Sequence, residues 1–313
     1  MQAPHAAVTN VAGAAAILRA GGLVIMPTET VYGLAGDAGD PAAVARIFEA
    51  KGRPRFNPLI AHVADRGDAE RIAALNPQAQ ALAEAFWPGP LTIVAPARPG
   101  GGVCDLARAG LETVAVRPPA HPVAQALLAA FGGPIVAPSA NRSGRPSPTT
   151  LADALEETGA AVGAALDGGP CNVGLESTVV ACLDGQVRLL RAGGLERARI
   201  EAVVGPLAGE GGHAGRSPGR TVLHYAPDAP VRLDAAAPRA GEAYLAFGPA
   251  PQGDLVWNLS SAGDVREAAT NLFAMLRAAD RARPAAIAVA PIPETGLGEA
   301  INDRLRRAAG YIG

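Results

Sequence analysis

Apolar positions along this chain follow two rhythms. Over residues 11–20, Val11, Ala14, Ile17 and Leu18 recur at the spacing of one helix face. Leu23-Val24-Ile25-Met26 is instead an unbroken apolar run closed by Pro27, the length of a buried strand. The two patterns then alternate. Asp40-Pro41 opens a helix whose apolar face is Val44, Ile47 and Phe48, and Gly52 stops it. Leu59–Val63 reads as a strand with His62 inside it. Asn76-Pro77 caps a helix that runs to Phe86-Trp87 and ends at Pro88-Gly89-Pro90. Leu91–Ala95 and Thr113–Val116 predict strands, 122–131 a helix, Ile135–Ala137 a strand, and Thr150–Thr158 a helix. Ser177–Leu183 and Val187–Leu190 predict a hairpin about Asp184-Gly185, followed by a helix over Glu196–Val204.

The rhythm breaks there. Residues 205–222 hold six Gly and two Pro with almost no apolar content, the composition of a linker or lid. Strands at 244–247, 255–259 and 285–290 then alternate with helices at 264–280 and 299–309, which predicts a small parallel sheet. The expected division is a first α/β unit over 1–205, a Gly/Pro-rich linker or lid over 206–228 and a small C-terminal α/β unit over 229–313. The fold class is α/β (α+β).

Composition narrows the classes. The chain has 313 residues, 49% hydrophobic and 18% charged, so it carries enough apolar material for two cores and is not globally disordered. Its formal charge of −2 weighs against a general nucleic-acid coat protein. Cys104, Cys171 and Cys182 are odd in number and form no C-x-x-C pair, which favours free thiols in a reducing compartment. The first residues lack a charged-then-apolar leader, and no stretch approaches ~20 apolar residues. The expectation is a cytoplasmic protein with no membrane partner.

The densest chemistry lies in Lys51-Gly52-Arg53-Pro54-Arg55-Phe56-Asn57-Pro58. Lys51 alone would complement the helix dipole, but three cations within five residues repel unless an anion gathers them. No Walker A loop and no G-x-G-x-x-G follow a strand, and Gly100-Gly101-Gly102 reads as a plain turn. Arg53 and Arg191 offer forked donors to phosphate, Lys51 a point charge, and Ser139, Asn141 and Ser147 hydroxyl or amide groups. Each alone fits an ordinary turn or surface role; together they point to a polyanion. Arg117, ahead of two prolines, is either a solvated cation or a fork for an amino-acid carboxylate. His62 reads more readily as a satisfied core histidine than as a ligand, and Glu29 as base, metal ligand or cap. The histidines at 5, 121, 213 and 224 are too scattered for a zinc site, and no G-x-S-x-G is present. From the residues alone, the chain is a two-domain α/β protein with an anion-binding cleft suited to a nucleotide.

Several motifs occur in a telling order: Pro27-Thr28-Glu29-Thr30-Val31-Tyr32-Gly33-Leu34, Lys51-Gly52-Arg53 with Asn57-Pro58-Leu59, Trp87-Pro88-Gly89-Pro90-Leu91-Thr92, Val116-Arg117-Pro118-Pro119, Pro138-Ser139-Ala140-Asn141 with Ser143-Gly144, Ser177-Thr178-Val179 and Arg191-Ala192-Gly193. This series resembles the threonylcarbamoyl-AMP synthase (YrdC-like) family. Ser217-Pro218-Gly219 with His224-Tyr225-Ala226-Pro227, and the α/β unit behind them, resemble its long two-domain form. The resemblance implies a YrdC-like twisted mixed sheet with helices, plus a small Rossmann-like C-terminal domain. It implies an enzyme that makes threonylcarbamoyl-AMP and pyrophosphate from L-threonine, bicarbonate and ATP, with Mg²⁺ carried on the ATP phosphates. The product would serve modification of the adenosine beside the anticodon in tRNA, passing through a downstream threonylcarbamoyl-transferase complex, with a weak tRNA contact.

Carried over residue by residue, the family's Lys-x-Arg…Ser-x-Asn tetrad falls on Lys51, Arg53, Ser139 and Asn141. The resemblance places Arg53, Asn57, Thr113, Ser139, Ser147, Arg191 and Tyr225 on the ATP side. It places Thr30, His62, Arg117, the backbone of Ala137, and Ser177 on the L-threonine side, and no metal on protein side chains. The family's linker often carries Met-Lys before His-Tyr-Ala-Pro; here Arg220-Thr221-Val222-Leu223 intervene, which leaves Arg220 as the candidate to replace a phosphate contact from that Lys. The rival readings are a double-stranded RNA-binding module, a carbamoyl-transfer enzyme of hydrogenase maturation that shares the domain, and a regulatory binder using the C-terminal unit.

Overall fold

The structure, a computed structural model, describes residues 7–209 and 225–310. The helices in chain order are α1 (Val11–Arg19), α2 (Pro41–Lys51), α3 (Arg66–Ile72), α4 (Pro77–Phe86), α5 (Asp105–Arg108), α6 (Pro122–Phe131), α7 (Leu151–Thr158), α8 (Arg197–Val204), α9 (Val265–Arg281) and α10 (Gly298–Ala308). The strands are β1 (Ala7–Val8), β2 (Val24–Met26), β3 (Gly33–Asp37), β4 (Ile60–His62), β5 (Leu91–Pro96), β6 (Thr113–Arg117), β7 (Ile135–Val136), β8 (Ala164–Ala165), β9 (Thr178–Leu183), β10 (Gln186–Arg191), β11 (Val231–Arg232), β12 (Glu242–Ala246), β13 (Val256–Asn258) and β14 (Ala286–Val289).

The first ten strands form one mixed sheet in the order β1-β8-β2-β3-β7-β4-β6-β5-β9-β10. The Leu23–Met26 run shows why it reads as continuously apolar. Leu23 and Ile25 enter one core, with Ile47 and Phe48 of α2, while Val24 and Met26 enter the core on the other side, with Leu18 of α1 and Leu127 of α6. A strand buried on both faces needs no polar alternation. The predicted hairpin is present. β9 and β10 pair antiparallel, and Asp184 and Gly185 have φ of 54° and 69°, as a tight primed turn requires. The helix starts follow their sequence signals: Asp40, Asn76, Thr150 and Asp264 each accept a hydrogen bond from a backbone N–H of the first turn.

β3, α3, α5 and the two-residue strands β1, β8 and β11 have no counterpart in the sequence pattern. The C-terminal sheet is parallel throughout, in the order β11-β14-β12-β13, as the strand–helix alternation predicts. α8 belongs to the first unit by packing: its Ile200 shares a core with Val180 and Val187. Most of the expected linker, including Ser217, Pro218, Gly219 and His224, lies outside the described residues. The two units meet through one continuous core, in which Val31 and Leu175 pack with Tyr225 and with Leu272, Phe273 and Ile301 of the C-terminal unit.

Candidate active site

A cleft with about 530 Å³ of space between atoms, part of it open to solvent, lies across the sheet. Strand alternation explains its floor. Ala61 and Val116 point into the core, so their neighbours Ile60, His62 and Arg117 point the other way and line the cleft. His62 sits opposite Arg117 in the parallel β4–β6 pair. The loop after β2 supplies Thr30, the turn after β7 supplies Ala137 and Ser139, the approach to β9 supplies Glu176 and Ser177, and the end of β10 supplies Arg191. Arg53 and Tyr225 complete the wall. Nine of the residues expected in the site thus come together: Thr30, Arg53, His62, Ala137, Ser139, Arg117, Ser177, Arg191 and Tyr225.

One side is built around Arg117. Its Nε donates to the Gly89 carbonyl (2.9 Å), its Nη1 to Thr30 Oγ1 (3.0 Å) and its Nη2 to Glu29 Oε1 (2.6 Å). Three of the five guanidinium N–H groups are thereby used, and two remain for a ligand carboxylate. Glu29 is therefore the orienting partner of Arg117. Its second oxygen is buried without a hydrogen-bond partner in the described structure. Thr30 is itself held by Thr28 Oγ1 at 2.9 Å. His62 is buried, and burial, together with the nearby Arg117 charge, pushes its pKa down to about 3. The ring is neutral at physiological pH, which leaves the positive charge of this side on Arg117.

The other side holds Arg53 and Arg191. Arg53 donates to the carbonyls of Asn57 (3.4 Å) and Pro58 (3.2 Å). Arg191 donates to the Ser177 carbonyl (2.8 Å) and to Ser177 Oγ (3.2 Å), which also bonds Thr92 Oγ1 at 2.8 Å. Among the described residues neither arginine has a carboxylate within ion-pair distance, whereas Arg117 does. Burial and the Arg191 charge lower the Arg53 pKa to about 10, and burial lowers that of Arg191. Two desolvated cations with no carboxylate in ion-pair contact among the described residues make a binding place for an anion.

Five expected residues do not line the cleft. Lys51, read from sequence as a phosphate-facing charge, is buried at the end of α2 and donates from Nζ to the carbonyls of Ser139 and Asn141. It holds the Pro138–Asn141 turn from behind. Burial and the Arg53 charge set its pKa well below the usual lysine value. Asn141 spends Nδ2 on the carbonyls of Arg142 and Arg145, both at 2.8 Å, while Oδ1 has no partner among the described residues. Asn57 bonds Arg53 through its carbonyl. Ser147 donates to Glu176 Oε1 at 2.5 Å. Thr113 lies on the same face of β6 as Arg117, four residues or ~13 Å away along the strand.

Two residues in or beside the cleft carried no signal in the reading of motifs. Glu176 lines the cleft, and its Oε2 accepts from Arg304 Nε at 3.0 Å. Arg304 sits in Asp303-Arg304-Leu305-Arg306-Arg307, which resembles a solvated charge run. The one available cue was periodicity: Leu297, Ala300, Ile301, Leu305 and Ala308 form the apolar stripe of α10, and Arg304 falls on it. Among the described residues, no three His, Cys, Asp or Glu side chains are grouped to hold a metal ion, and no helix is long and apolar enough to cross a membrane.

Comparison with known proteins gives this geometry its family. The Sua5/YciO/YrdC family model, described as telomere recombination, matches residues 16–193, and that of the threonylcarbamoyl-AMP synthase C-terminal domain matches residues 195–310. The threonylcarbamoyl-AMP synthase of Bacillus subtilis is 39% identical over 96% of this chain and 93% of its own length. That of Pyrococcus abyssi is 41% identical over 95% and 93%. The crystal structure of P. abyssi Sua5 complexed with L-threonine superposes with a TM-score of 0.88 at 40% identity, covering 96% of this chain and 94% of that one. The chain belongs to the threonylcarbamoyl-AMP synthase family, in its two-domain form.

Proposed function

We propose that the cleft joins L-threonine, bicarbonate and ATP into threonylcarbamoyl-AMP, releasing pyrophosphate and water. The observation that carries this reading is the pairing of two unlike cationic places in one cleft. Arg117, oriented by Glu29 and Thr30, keeps two N–H groups for a carboxylate, and Arg53 and Arg191, neither with a carboxylate within ion-pair distance among the described residues, line the same cleft. The relatives named threonylcarbamoyl-AMP synthase, and the related structure holding L-threonine, support it.

In this mechanism Arg117 takes the threonine carboxylate, and Thr30, His62, Ser177 and the Ala137 backbone surround the rest of the amino acid. The amine attacks the carbon of bicarbonate or of the carbon dioxide formed from it, giving a carbamate. A carbamate oxygen attacks the α-phosphorus, and the α–β bridging oxygen leaves with pyrophosphate. His62, with a pKa of about 3, is a hydrogen-bonding group rather than the base that takes the amine proton. Arg53 and Arg191 neutralise charge that grows on the phosphates. Ser139 is fixed by Lys51 from behind, and Tyr225 closes the wall from the linker side. Asn57, Asn141 and Ser147 act on the ATP side through their bonds to Arg53, Arg145 and Glu176, and Thr113 from its place on β6, on the face that carries Arg117. Among the described residues, the cleft's charged side chains are three arginines and one carboxylate, Glu176, already engaged by Ser147 and Arg304. That donor set fits Mg²⁺ arriving on the triphosphate, held by phosphate oxygens and water, where it supplies charge neutralisation. Excluding water protects the carbamate and the mixed anhydride.

The labile product passes, in this reading, to a threonylcarbamoyl-transferring complex acting on tRNA in the cytoplasm, with a weak tRNA contact. The test is product analysis. Folded protein with ATP, Mg²⁺, L-threonine and labelled bicarbonate should give labelled threonylcarbamoyl-AMP and pyrophosphate in equal amounts. Pyrophosphate release that is independent of threonine, or no product at all, would refute the reading.

A further inference from the structure

Arg304 is 1% exposed, although it belongs to the last helix of the C-terminal unit. Its three nitrogens are all committed. Nε donates to Glu176 Oε2 (3.0 Å), Nη1 to Asp303 Oδ2 (2.6 Å) and Nη2 to the Ala192 carbonyl (2.9 Å). Its guanidinium carbon lies 5.2 Å from the centroid of the Tyr225 ring. Arg304 does not line the cleft, yet three of these four groups are in it or next to it: Glu176 and Tyr225 line it, and Ala192 follows Arg191.

A buried arginine is a poor choice for docking alone, since well-packed apolar residues hold interfaces at least as well. Its presence calls for a task that apolar packing cannot perform. Glu176 supplies that task. Its carboxylate shares the cleft wall with Arg191, and the two influence one another electrostatically. They are nonetheless not in ion-pair contact, because Glu176 accepts from Ser147 on one oxygen and from Arg304 on the other. Without Arg304, a buried carboxylate would lose half its partners and turn to the nearest cation.

We propose that Arg304 is a positioning residue through which the C-terminal unit holds Glu176 away from Arg191, so that Arg191 stays available to the nucleotide phosphates. The proposal rests on reading the Arg191 side of the cleft as the ATP side. It gives the C-terminal unit a role in substrate binding through one side chain that touches no substrate.

The test compares Arg304→Met, Glu176→Gln and the double variant, measuring threonylcarbamoyl-AMP formation with ATP, Mg²⁺, L-threonine and bicarbonate. Arg304→Met should raise the KM for ATP by about 10- to 100-fold, the loss of one charge-assisted phosphate contact, with the KM for threonine changed less than about threefold. Adding Glu176→Gln should bring the ATP KM back to within about threefold of wild type, because an amide cannot neutralise Arg191. A double variant no better than Arg304→Met, or equal rises in both KM values, would overturn the proposal. Circular dichroism and thermal unfolding establish folding. Should Arg304→Met not fold, Arg304→Gln carries the same comparison, removing the charge that engages Glu176 while keeping a polar side chain. Failure of the wild-type protein to form product would instead strike the functional reading.

Discussion

His62 shows how the cleft sets chemistry through burial. An exposed imidazole titrates near pH 6.5, but here burial and Arg117 push the pKa down to about 3. Between those values the unfolded chain binds a proton that the native chain does not. The stability due to His62 is therefore complete above about pH 6.5 and is lost as pH falls towards 3. On going from pH 7 to pH 5 the ring costs about 2 kcal/mol. His62→Gln should remove that cost, and urea unfolding at the two pH values should show a drop smaller by this amount than in wild type. Identical drops would mean that the ring is not held neutral. Arg117 offers a second residue-level expectation. Arg117→Lys cannot reproduce bonds to Gly89, Thr30 and Glu29 while still presenting a fork. The KM for threonine should rise about 10- to 100-fold and that for ATP far less; parallel rises would argue against a carboxylate site. Both residues were visible in the sequence, His62 as a polar residue inside an apolar strand and Arg117 before two prolines. The resemblance set both on the L-threonine side, and strand register is what brings them side by side.

Elements were legible where one signal dominated and hidden where two competed. The Asp184-Gly185 hairpin, the Asp40-Pro41 helix start and the double-faced Leu23–Met26 strand follow from local chemistry. β3 does not, because Gly33 and Gly36 read as breakers. In the fold these glycines are packing requirements. A Cβ at Gly36 would lie 2.9 Å from Ile47 Cδ1 and 3.1 Å from Leu23 Cδ2, and one at Gly33 would lie 3.0 Å from Ala137 Cβ. β3 sits between β2 and β7, so it sets the spacing between the Thr30 loop and the Pro138–Asn141 turn. Gly36→Val should therefore overpack the core and cost about 1–3 kcal/mol, read as a lower thermal midpoint. An unchanged midpoint would show that α2 can move away freely. Lys51 shows the same competition: a cation on a last turn beside Arg53 reads as a point charge for phosphate, yet the Pro138–Asn141 turn packs over it and its Nζ donates to the Ser139 and Asn141 carbonyls.

The whole molecule depends on a close approach between its two units that no single motif announces. Gly174, with φ of +75°, lies against α9; a Cβ there would meet the Thr270 Cα and carbonyl oxygen at 2.5 Å and the Ala269 carbonyl oxygen at 2.6 Å. Two residues on is Glu176, tied to Arg304. Arg277 of the same α9 reaches Glu157 at 3.0 Å, both buried. Docking and cleft are thus one piece of structure, and a lesion in the contact should be felt in the site. Gly174→Ala adds left-handed strain to a backbone clash, and the expected loss is about 2–4 kcal/mol. Gly185→Ala is the control: its φ is +69°, but nothing lies within 4 Å of the added Cβ, so it carries the strain alone, about 1 kcal/mol. Gly174→Ala should show the lower thermal midpoint, faster proteolysis between the units and a raised KM for ATP, while Gly185→Ala keeps wild-type kinetics. Buried ion pairs are weakly screened, so raising the salt should not convert the behaviour of one variant into that of the other. If the two lose equal stability and equal activity, the units do not depend on this approach, and the C-terminal unit acts on the cleft by another route than the Leu175–Glu176 segment.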